Sequence, residues 1–225
     1  MTISEDLFLL LTRDDGKPES AFTQASYGYA AANVVDLVLA ERVRLSEDKD
    51  PRVSVVDASP TGHPALDAAL ARLGEKDGKK ASQLISDGRV AAEDQIVDSL
   101  AQAGIIRVEE KRMLGLVPEK RPVLDPSPER ALRGRLRAVL HGGSATPQEA
   151  TVLSILQGLD LAAKVLADEW AGLSKREVKT RIKELAADIR MSEAMSKAVA
   201  NAVASMNAAI ISAVVVSTAV SGSGS

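Results

Sequence analysis

The two histidines are the first residues to consider for chemistry, because an imidazole can act as a general base or bind a metal. His63 lies in "SPTGHPALD" and His141 lies in "LHGGS", so turn-forming residues flank both. No second histidine stands four residues from either one, and the chain has no cysteine, so the common zinc motifs are absent. Thr61 and Asp67 lie near His63, but a loop that caps a helix explains this grouping more simply. No metal site is predicted.

Phosphate-binding loops are also missing from the sequence. The stretches "SDGRV" and "LHGGS" have neither the strand-loop-helix setting nor the lysine of a P-loop. No nucleophile is paired with a base by a recognisable motif. The sequence therefore predicts a protein without catalysis and without a cofactor, and binding is the better class of function.

The stretch "GIIRVEEKRMLGLVPEKRPV" (104–123) combines apolar residues with an unusual number of cations. Turn-forming residues lie near its centre, so it is predicted to form a β-hairpin. Five cations outnumber three glutamates here, although the whole chain has a formal net charge of −3. The cations flank a group of apolar residues at the expected tip. The cations are Arg107, Lys111, Arg112, Lys120 and Arg121, and the apolar residues are Met113, Leu114, Leu116 and Val117.

Four interpretations of this segment are open. In the first, the apolar tip enters the headgroup region of a membrane while the cations hold anionic lipid. Each cation then contributes about 1 kcal/mol and each buried CH₂ about 0.8 kcal/mol, which gives reversible attachment. In the second, the apolar residues pack onto the domain itself. In the third, Met113 and Leu116 are buried against a neighbouring subunit of a homo-oligomer. In the fourth, helix and hairpin form a winged-helix module for nucleic acid, although the acidic helix residues Glu93, Asp94 and Asp98 disfavour it.

A second group of cations follows the hairpin in sequence. Arg130, Arg133 and Arg137 share one face of a predicted helix, because residues at i, i+3 and i+7 lie on the same side. This face is either solvated and paired with acidic neighbours, or it extends the contact with an anionic surface.

Helical periodicity dominates the rest of the chain. Aromatic residues make up only 2% of it, so small and aliphatic residues must fill the interior, which favours closely packed helices. Two β-hairpins are predicted over 42–57 and 104–123, each after a helix. The expected fold is an all-α, mostly helical bundle. Its helices are predicted over 3–12, 25–42, 59–73, 79–86, 91–103, 125–143, 147–157, 159–171, 174–189 and 192–219.

The end of the chain carries no charged residue after Lys197. The stretch 198–220 is long enough to span a bilayer, but polar residues interrupt it and Ala inserts weakly. A helix buried within the bundle is therefore predicted. Residues 1–220 are expected to form one domain, and the final "SGSGS" (221–225) a flexible tail. The acidic start "MTISEDLFLLLTRDDG" is unlike a signal peptide, so a cytoplasmic protein is expected.

Several stretches, in the correct order, resemble the Golgi phosphoprotein 3 family. They are "SEDLFLLLTRDDGK", "NVVDLVLAERVRL", "SPTGHPALDAAL", "SLAQAGIIRVEEKRMLGLVPEKRPVLDP" and "LRGRLRAVLHGG". The resemblance extends over essentially the whole chain and points to the bacterial branch in particular. It implies a single helical domain that binds membranes peripherally through a protruding hairpin, here residues 107–123. In eukaryotic members it also implies recognition of phosphatidylinositol 4-phosphate and an adaptor role in sorting glycosyltransferases.

The resemblance does not extend to the phosphoinositide pocket. Eukaryotic members place a Trp and three arginines where this chain has Ala21, Ala30, Val90 and Glu93. Without those arginines the charge-assisted, bidentate bonds that distinguish a phosphorylated headgroup are lost, although the neighbouring Arg89 could substitute. The expectation is a peripheral membrane-binding or adaptor protein that docks on anionic lipid with less selectivity and recruits an unknown protein client.

Overall fold

The structure, a computed structural model, describes residues 1–19, 25–109, 120–191 and 197–221. Most of these residues are helical, which confirms the predicted all-α class. The elements are α1 (Ile3–Leu11), α2 (Ala25–Leu39), β1 (Val43–Leu45), β2 (Val53–Val55), α3 (Pro64–Glu75), α4 (Ala81–Ile85), α5 (Gly88–Ala91), α6 (Glu93–Gln102), α7 (Ser127–Leu140), α8 (Pro147–Gly158), α9 (Ala162–Val165), α10 (Lys175–Met191) and α11 (Lys197–Ser221).

Helix α2 is the centre of the bundle and packs against α1, α3, α5, α8 and α11. Its run Ala30, Ala31 and Ala32 is fully buried, so the neighbouring helices approach closely. Gly28 extends this small surface, because a Cβ there would lie 3.1 Å from a Leu159 methyl of the α8 end. Small residues at helix contacts let a chain with few aromatics reach a dense core.

Two helices begin with the capping boxes that their sequences encode. At α1, the Thr2 hydroxyl accepts from the Glu5 amide while the Glu5 carboxylate accepts from the Thr2 amide. Thr146 and Glu149 repeat the arrangement at α8, where Pro147 occupies the first turn. Each box satisfies amides that the helix itself leaves unbonded. These local rules account for the correctly predicted helix starts.

The predicted helix over 91–103 is interrupted at its beginning. Ala92 adopts a left-handed conformation (φ 50°, ψ 41°) between α5 and α6. The Asn33 amide of α2 donates to the carbonyl oxygens of Val90 and Ala91, at 2.9 Å each, and so satisfies the end of α5. The break is therefore stabilised by a residue almost sixty positions away in sequence.

The single helix predicted over 159–171 is wrong. Only α9 (Ala162–Val165) is α-helical there, since Asp160 takes a positive φ of 56° and turns follow Leu166. Trp170 packs beside these turns, and its indole nitrogen donates to the Ala163 carbonyl at 3.0 Å. The apolar spacing in this region reflects packed turns as well as a helix.

The first hairpin is confirmed, with β1 and β2 antiparallel in the register Val43↔Val55. For the second, antiparallel bridges join Ile106 to Val123 and Glu109 to Lys120. The Glu109 and Lys120 backbones exchange two hydrogen bonds of 2.8 and 3.1 Å. The base of the second hairpin is thus paired as predicted, and its tip lies outside the described residues.

The C-terminal helix α11 packs against α2, α4 and α8 as predicted, but it is not buried on all sides as expected. Val203, Met206 and Ile210 are buried, while Ala208 and Ile211 face solvent. Its fit against α8 depends on Gly158, because a Cβ there would overlap the Asn207 side chain. In the part of the chain that is described, no helix combines the length and apolarity needed to cross a bilayer.

Candidate functional site

The base of the second hairpin rests on the loop that follows α1. In that loop Gly16 takes a φ of +77°, and its carbonyl accepts the Arg121 amide at 3.3 Å. The Val123 amide donates to the Asp14 carbonyl, also at 3.3 Å. A Cβ at Gly16 would lie 2.5 Å from backbone atoms of Arg121 and Pro122. The loop and the return strand therefore meet backbone to backbone, and only glycine fits at this contact.

The Arg121 side chain fixes the same strand to two helices. Its guanidinium pairs with the Glu93 carboxylate of α6 at 2.6 Å and lies 5.7 Å from the centre of the Phe8 ring of α1. A planar guanidinium is suited to both contacts at once. The predicted contact of Arg121 with an anionic surface stays a prediction, and in the structure the residue anchors the hairpin. Sequence spacing gave no sign of this pairing.

Exposed residues at the hairpin base continue the mixed character of the segment. Arg107 is exposed and pairs with Glu109 on its own strand at 2.8 Å. Val108 is 38% exposed and Leu124 is 52% exposed, so both add apolar groups to the surface of the hairpin base. The sequence analysis did not select these two, although both lie in or next to the cationic segment. Lys120 lies across from Glu109 and is partly exposed.

All four predicted insertion residues and two of the predicted cation contacts fall in 110–119, which lies outside the described residues. Their predicted roles stay predictions. They are the cations Lys111 and Arg112 and the apolar residues Met113, Leu114, Leu116 and Val117.

The arginines predicted to share one face of α7, at positions 130, 133 and 137, do not form one free cationic face. Arg133 pairs with Glu129 at 2.8 Å and Glu169 at 3.2 Å, and it donates to the Val165 carbonyl. Arg137 donates to the Asp168 carbonyl at 2.9 Å. These two therefore hold the turns after α9 against α7, as the alternative of acidic neighbours predicts for Arg133. Arg130 is exposed at the start of the helix.

The contacts of Arg133 also affect the ionisation of the buried Glu129 carboxylate. Burial raises the pKa of Glu129, and its contacts with Arg133 only partly oppose that rise. Replacing Arg133 would leave Glu129 and Glu169 buried without their cation, which is a strongly unfavourable change. Arg133 therefore stabilises the fold through its contacts with Glu129 and Glu169.

Among the described residues, the positions that the resemblance assigns to a phosphoinositide pocket do not form an anion site. Ala30 and Val90 are fully buried in the core, and Ala21 lies outside the described residues. Arg89 is exposed and pairs with Glu75 at 3.1 Å. It borders a cleft of about 550 Å³ that is also lined by Glu93 and Asp94. Acidic residues at this cleft oppose the binding of a phosphate beside Arg89.

In the described ranges, no three His, Cys, Asp or Glu residues are grouped as metal ligands. The base of the second hairpin, in contrast, is a strand pair held against the body with exposed cationic and apolar side chains. Such an arrangement is suited to contact with a surface.

A comparison with protein-family models agrees with the order of motifs along the chain. The model described as Golgi phosphoprotein 3 (GPP34) matches residues 3–206. No curated protein matches the chain. The family match includes the loop at Gly16, the hairpin base and α7, and it extends into α11.

Proposed function

We propose, on the premise that this chain belongs to the Golgi phosphoprotein 3 family, that it is a peripheral membrane-binding protein. It docks on anionic lipid through segment 107–123, and its helical body carries a protein client as a non-catalytic adaptor. The observation that carries the proposal is the cationic, apolar-tipped sequence of this segment on a hairpin base that is fixed to the fold.

The anchored base supports a docking role for physical reasons. A held base fixes the direction in which the segment leaves the body, and it lowers the conformational entropy that is lost when the segment docks. Here the loop at Gly16, the Glu93 carboxylate and the Phe8 ring hold the return strand. Val108 and Leu124 are exposed at this base and are available to a partner surface.

The lipid preference follows from charge. In the described part of the chain, Ala30, Val90 and Glu93 stand where the resemblance expects arginines, so these positions offer no bidentate bonds to a phosphorylated headgroup. The remaining attraction is between several cations and a negatively charged leaflet, at about 1 kcal/mol for each cation near the surface. Binding should therefore depend on total anionic charge and weaken as salt shortens the Debye length.

Vesicle flotation tests the proposal directly. The protein is mixed with vesicles of phosphatidylcholine alone, or with phosphatidylserine added, across a salt series. We expect flotation only with phosphatidylserine, a decline with salt, and loss of flotation in the double variant Met113→Asp, Leu116→Asp. The matched control is Leu39→Asp, Val56→Asp, because these apolar residues are 40% and 47% exposed elsewhere on the body.

The outcomes separate the competing interpretations. Flotation of the Met113→Asp, Leu116→Asp variant at the wild-type level would refute insertion. Conversion of an oligomer into a monomer by that variant, measured by light scattering, would instead assign the segment to self-association. Binding of duplex DNA in a gel shift without any flotation would favour the winged-helix alternative.

A further inference from the structure

Helix α10 carries a basic exposed surface. Residues 175–185 contain five cations and two glutamates, which gives a local net charge of +3 in a chain whose formal net charge is −3. The side that faces the bundle is apolar, since Val178, Ile182 and Leu185 are buried. Four of the five cations are exposed, and together they are called the α10 stripe. They are Lys175, Arg176, Lys179 and Lys183.

The fifth cation, Arg181, joins α10 to α7. Its guanidinium donates to the Val139 carbonyl at 3.2 Å and to the Gly143 carbonyl at 2.9 Å, at and just after the end of α7. The last carbonyls of a helix lack partners within that helix, so Arg181 satisfies groups that would otherwise be unbonded. This cation therefore has a role in the fold.

The α10 stripe has no comparable contacts. Lys179 reaches the Asp160 carboxylate at 3.6 Å, but both side chains are more than half exposed, so the pair contributes little to stability. In the ranges that the structure describes, no acidic side chain pairs with Lys175, Arg176 or Lys183. The charge of the stripe is thus largely uncompensated within the described fold.

The arrangement of the stripe also opposes the stability of α10. Lys175, Lys179 and Lys183 recur every fourth residue, and like charges at this spacing repel each other on a helix surface. Lys175 and Arg176 lie in the first turn, where the positive end of the helix dipole disfavours cations. Charges that lower the stability of their own helix indicate a partner outside the fold.

Helix α10 and the second hairpin lie at opposite ends of α7. The hairpin base leads into the beginning of α7, where the Leu124 amide donates to the Ile105 carbonyl at 2.8 Å. Arg181 attaches α10 at the other end. The 14 residues of α7 span about 20 Å, which exceeds the Debye length of about 8 Å at physiological salt. The two basic surfaces therefore act as separate sites.

The stripe lacks the apolar groups that strengthen contact with a bilayer. In the described part of the chain, the exposed large apolar side chains lie outside α10. They are Met1, Leu39, Val56, Val108, Leu124 and Ile211. Because interfacial binding combines buried apolar area with electrostatic attraction, a leaflet would gain only the electrostatic part at α10. A flexible acidic chain can instead bring a carboxylate to each cation.

We propose that the α10 stripe docks an acidic segment of a protein partner. Charge complementarity carries this inference. Lys175 and Lys183 are about 12 Å apart along the helix, a length that an extended segment of about four residues covers. Lysine ammonium groups are point charges on flexible stems, so they pair with carboxylates in more than one geometry. Recruitment of a client through this surface rests on the proposed function, whereas binding of an acidic segment does not.

The first hairpin supplies a matched control surface. Residues 44–52 and 77–80 meet at the Arg52–Lys80 bridge and contain five cations and four acids, so their net charge is only +1. One exposed arginine and three exposed lysines in this region match the stripe in composition. They are Arg44, Lys49, Lys79 and Lys80. Replacing these four removes the same charge from the protein as replacing the stripe.

Fluorescence anisotropy tests the proposal on the intact chain. A labelled decaglutamate peptide is titrated with wild type and two variants, at low and at physiological salt. The stripe variant is Lys175→Gln, Arg176→Gln, Lys179→Gln, Lys183→Gln, and the control variant is Arg44→Gln, Lys49→Gln, Lys79→Gln, Lys80→Gln. We expect the control variant to bind like wild type, and the stripe variant to have a Kd at least about tenfold higher. Equal Kd values in the two variants, or no binding by wild type, would overturn the proposal.

A second measurement uses wild type alone. A carbodiimide joins lysine amines to carboxylates that contact them, and mass spectrometry locates the joined residues. With decaglutamate we expect products mainly at Lys175, Lys179 and Lys183. An even distribution that includes Lys49 and Lys79 to the same extent would contradict a specific surface on α10.

Two further assays separate other classes of partner. Tighter binding of duplex DNA than of decaglutamate, lost in the stripe variant, would overturn the proposal in favour of nucleic acid. Loss of flotation with phosphatidylserine vesicles in the stripe variant, but not in the control variant, would assign the surface to lipid and also overturn it. Normal peptide binding by a wild type that does not float would refute the membrane role and leave the α10 surface supported.

Discussion

Substitution of Gly16 by alanine should weaken the packing of the second hairpin against the body of the protein. The new Cβ would lie 2.5 Å from backbone atoms of Arg121 and Pro122, so neither partner can move aside by a rotamer change. The φ of +77° adds a cost of about 1–2 kcal/mol for any residue with a Cβ. Two hydrogen bonds, from the Arg121 and Val123 amides, would also weaken at about 1 kcal/mol each.

The expected total is a loss of about 3 kcal/mol in the free energy of unfolding. For a chain of this size that corresponds to a fall of about 6–12 °C in Tm. Thermal unfolding followed by circular dichroism measures the change, and vesicle flotation should weaken in parallel. The matched control is Gly78→Ala, since Gly78 has a similar φ of +71° but nothing within 4 Å of its added Cβ. It should cost only about 1 kcal/mol from backbone strain.

Comparing the two variants separates the cost of the backbone contact from the cost of the positive φ, which both glycines share. If Gly16→Ala and Gly78→Ala lower Tm by the same amount, the backbone-to-backbone contact with the hairpin has no energetic role. The account of how the hairpin base is held would then be wrong.

Three further results are expected. Burial opposes ionisation of Glu5, but its hydrogen bonds lower the pKa to about 2. Its contribution of about 3 kcal/mol is present above pH 4.5 and is lost as pH falls through 2, so Glu5→Gln should flatten the acid limb of a stability profile. Gly158→Ala should cost about 2 kcal/mol by overlap with Asn207, and a second change, Asn207→Ala, should restore much of it in urea unfolding. Arg121→Ala should cost about 1–2 kcal/mol, and Glu93→Gln should cost less, because the ring contact survives.

Local sequence rules account for most of the fold. Helical spacing placed most helices within a few residues of their observed ends. Alternation of valines predicted the first hairpin, and its register pairs Val43 with Val55. These signals are read over a few neighbouring residues, and the structure follows them wherever packing does not compete.

Long-range contacts explain what the sequence did not reveal. The break at Ala92 depends on the Asn33 amide of another helix, and an isolated reading of 91–103 shows only a continuous helix. Similarly, the sequence does not distinguish Arg121 from the other cations of its segment, yet in the structure it pairs with Glu93, which lies 28 residues earlier in the chain. A cation that stabilises the fold and one that binds a partner are the same residue type in the sequence. Only the position of an acidic side chain in the structure distinguishes them.

The course of α11 bears on where the domain can be cut. Residue 206 closes the family match, but Ala209 and Ile210 beyond it are buried. A shortened protein that stops at the family boundary would expose the groove these side chains fill, at about 25 cal/mol for each Å² of apolar surface uncovered. Expression fragments should therefore keep the uncharged helix through Val214, where packing against the core is still present.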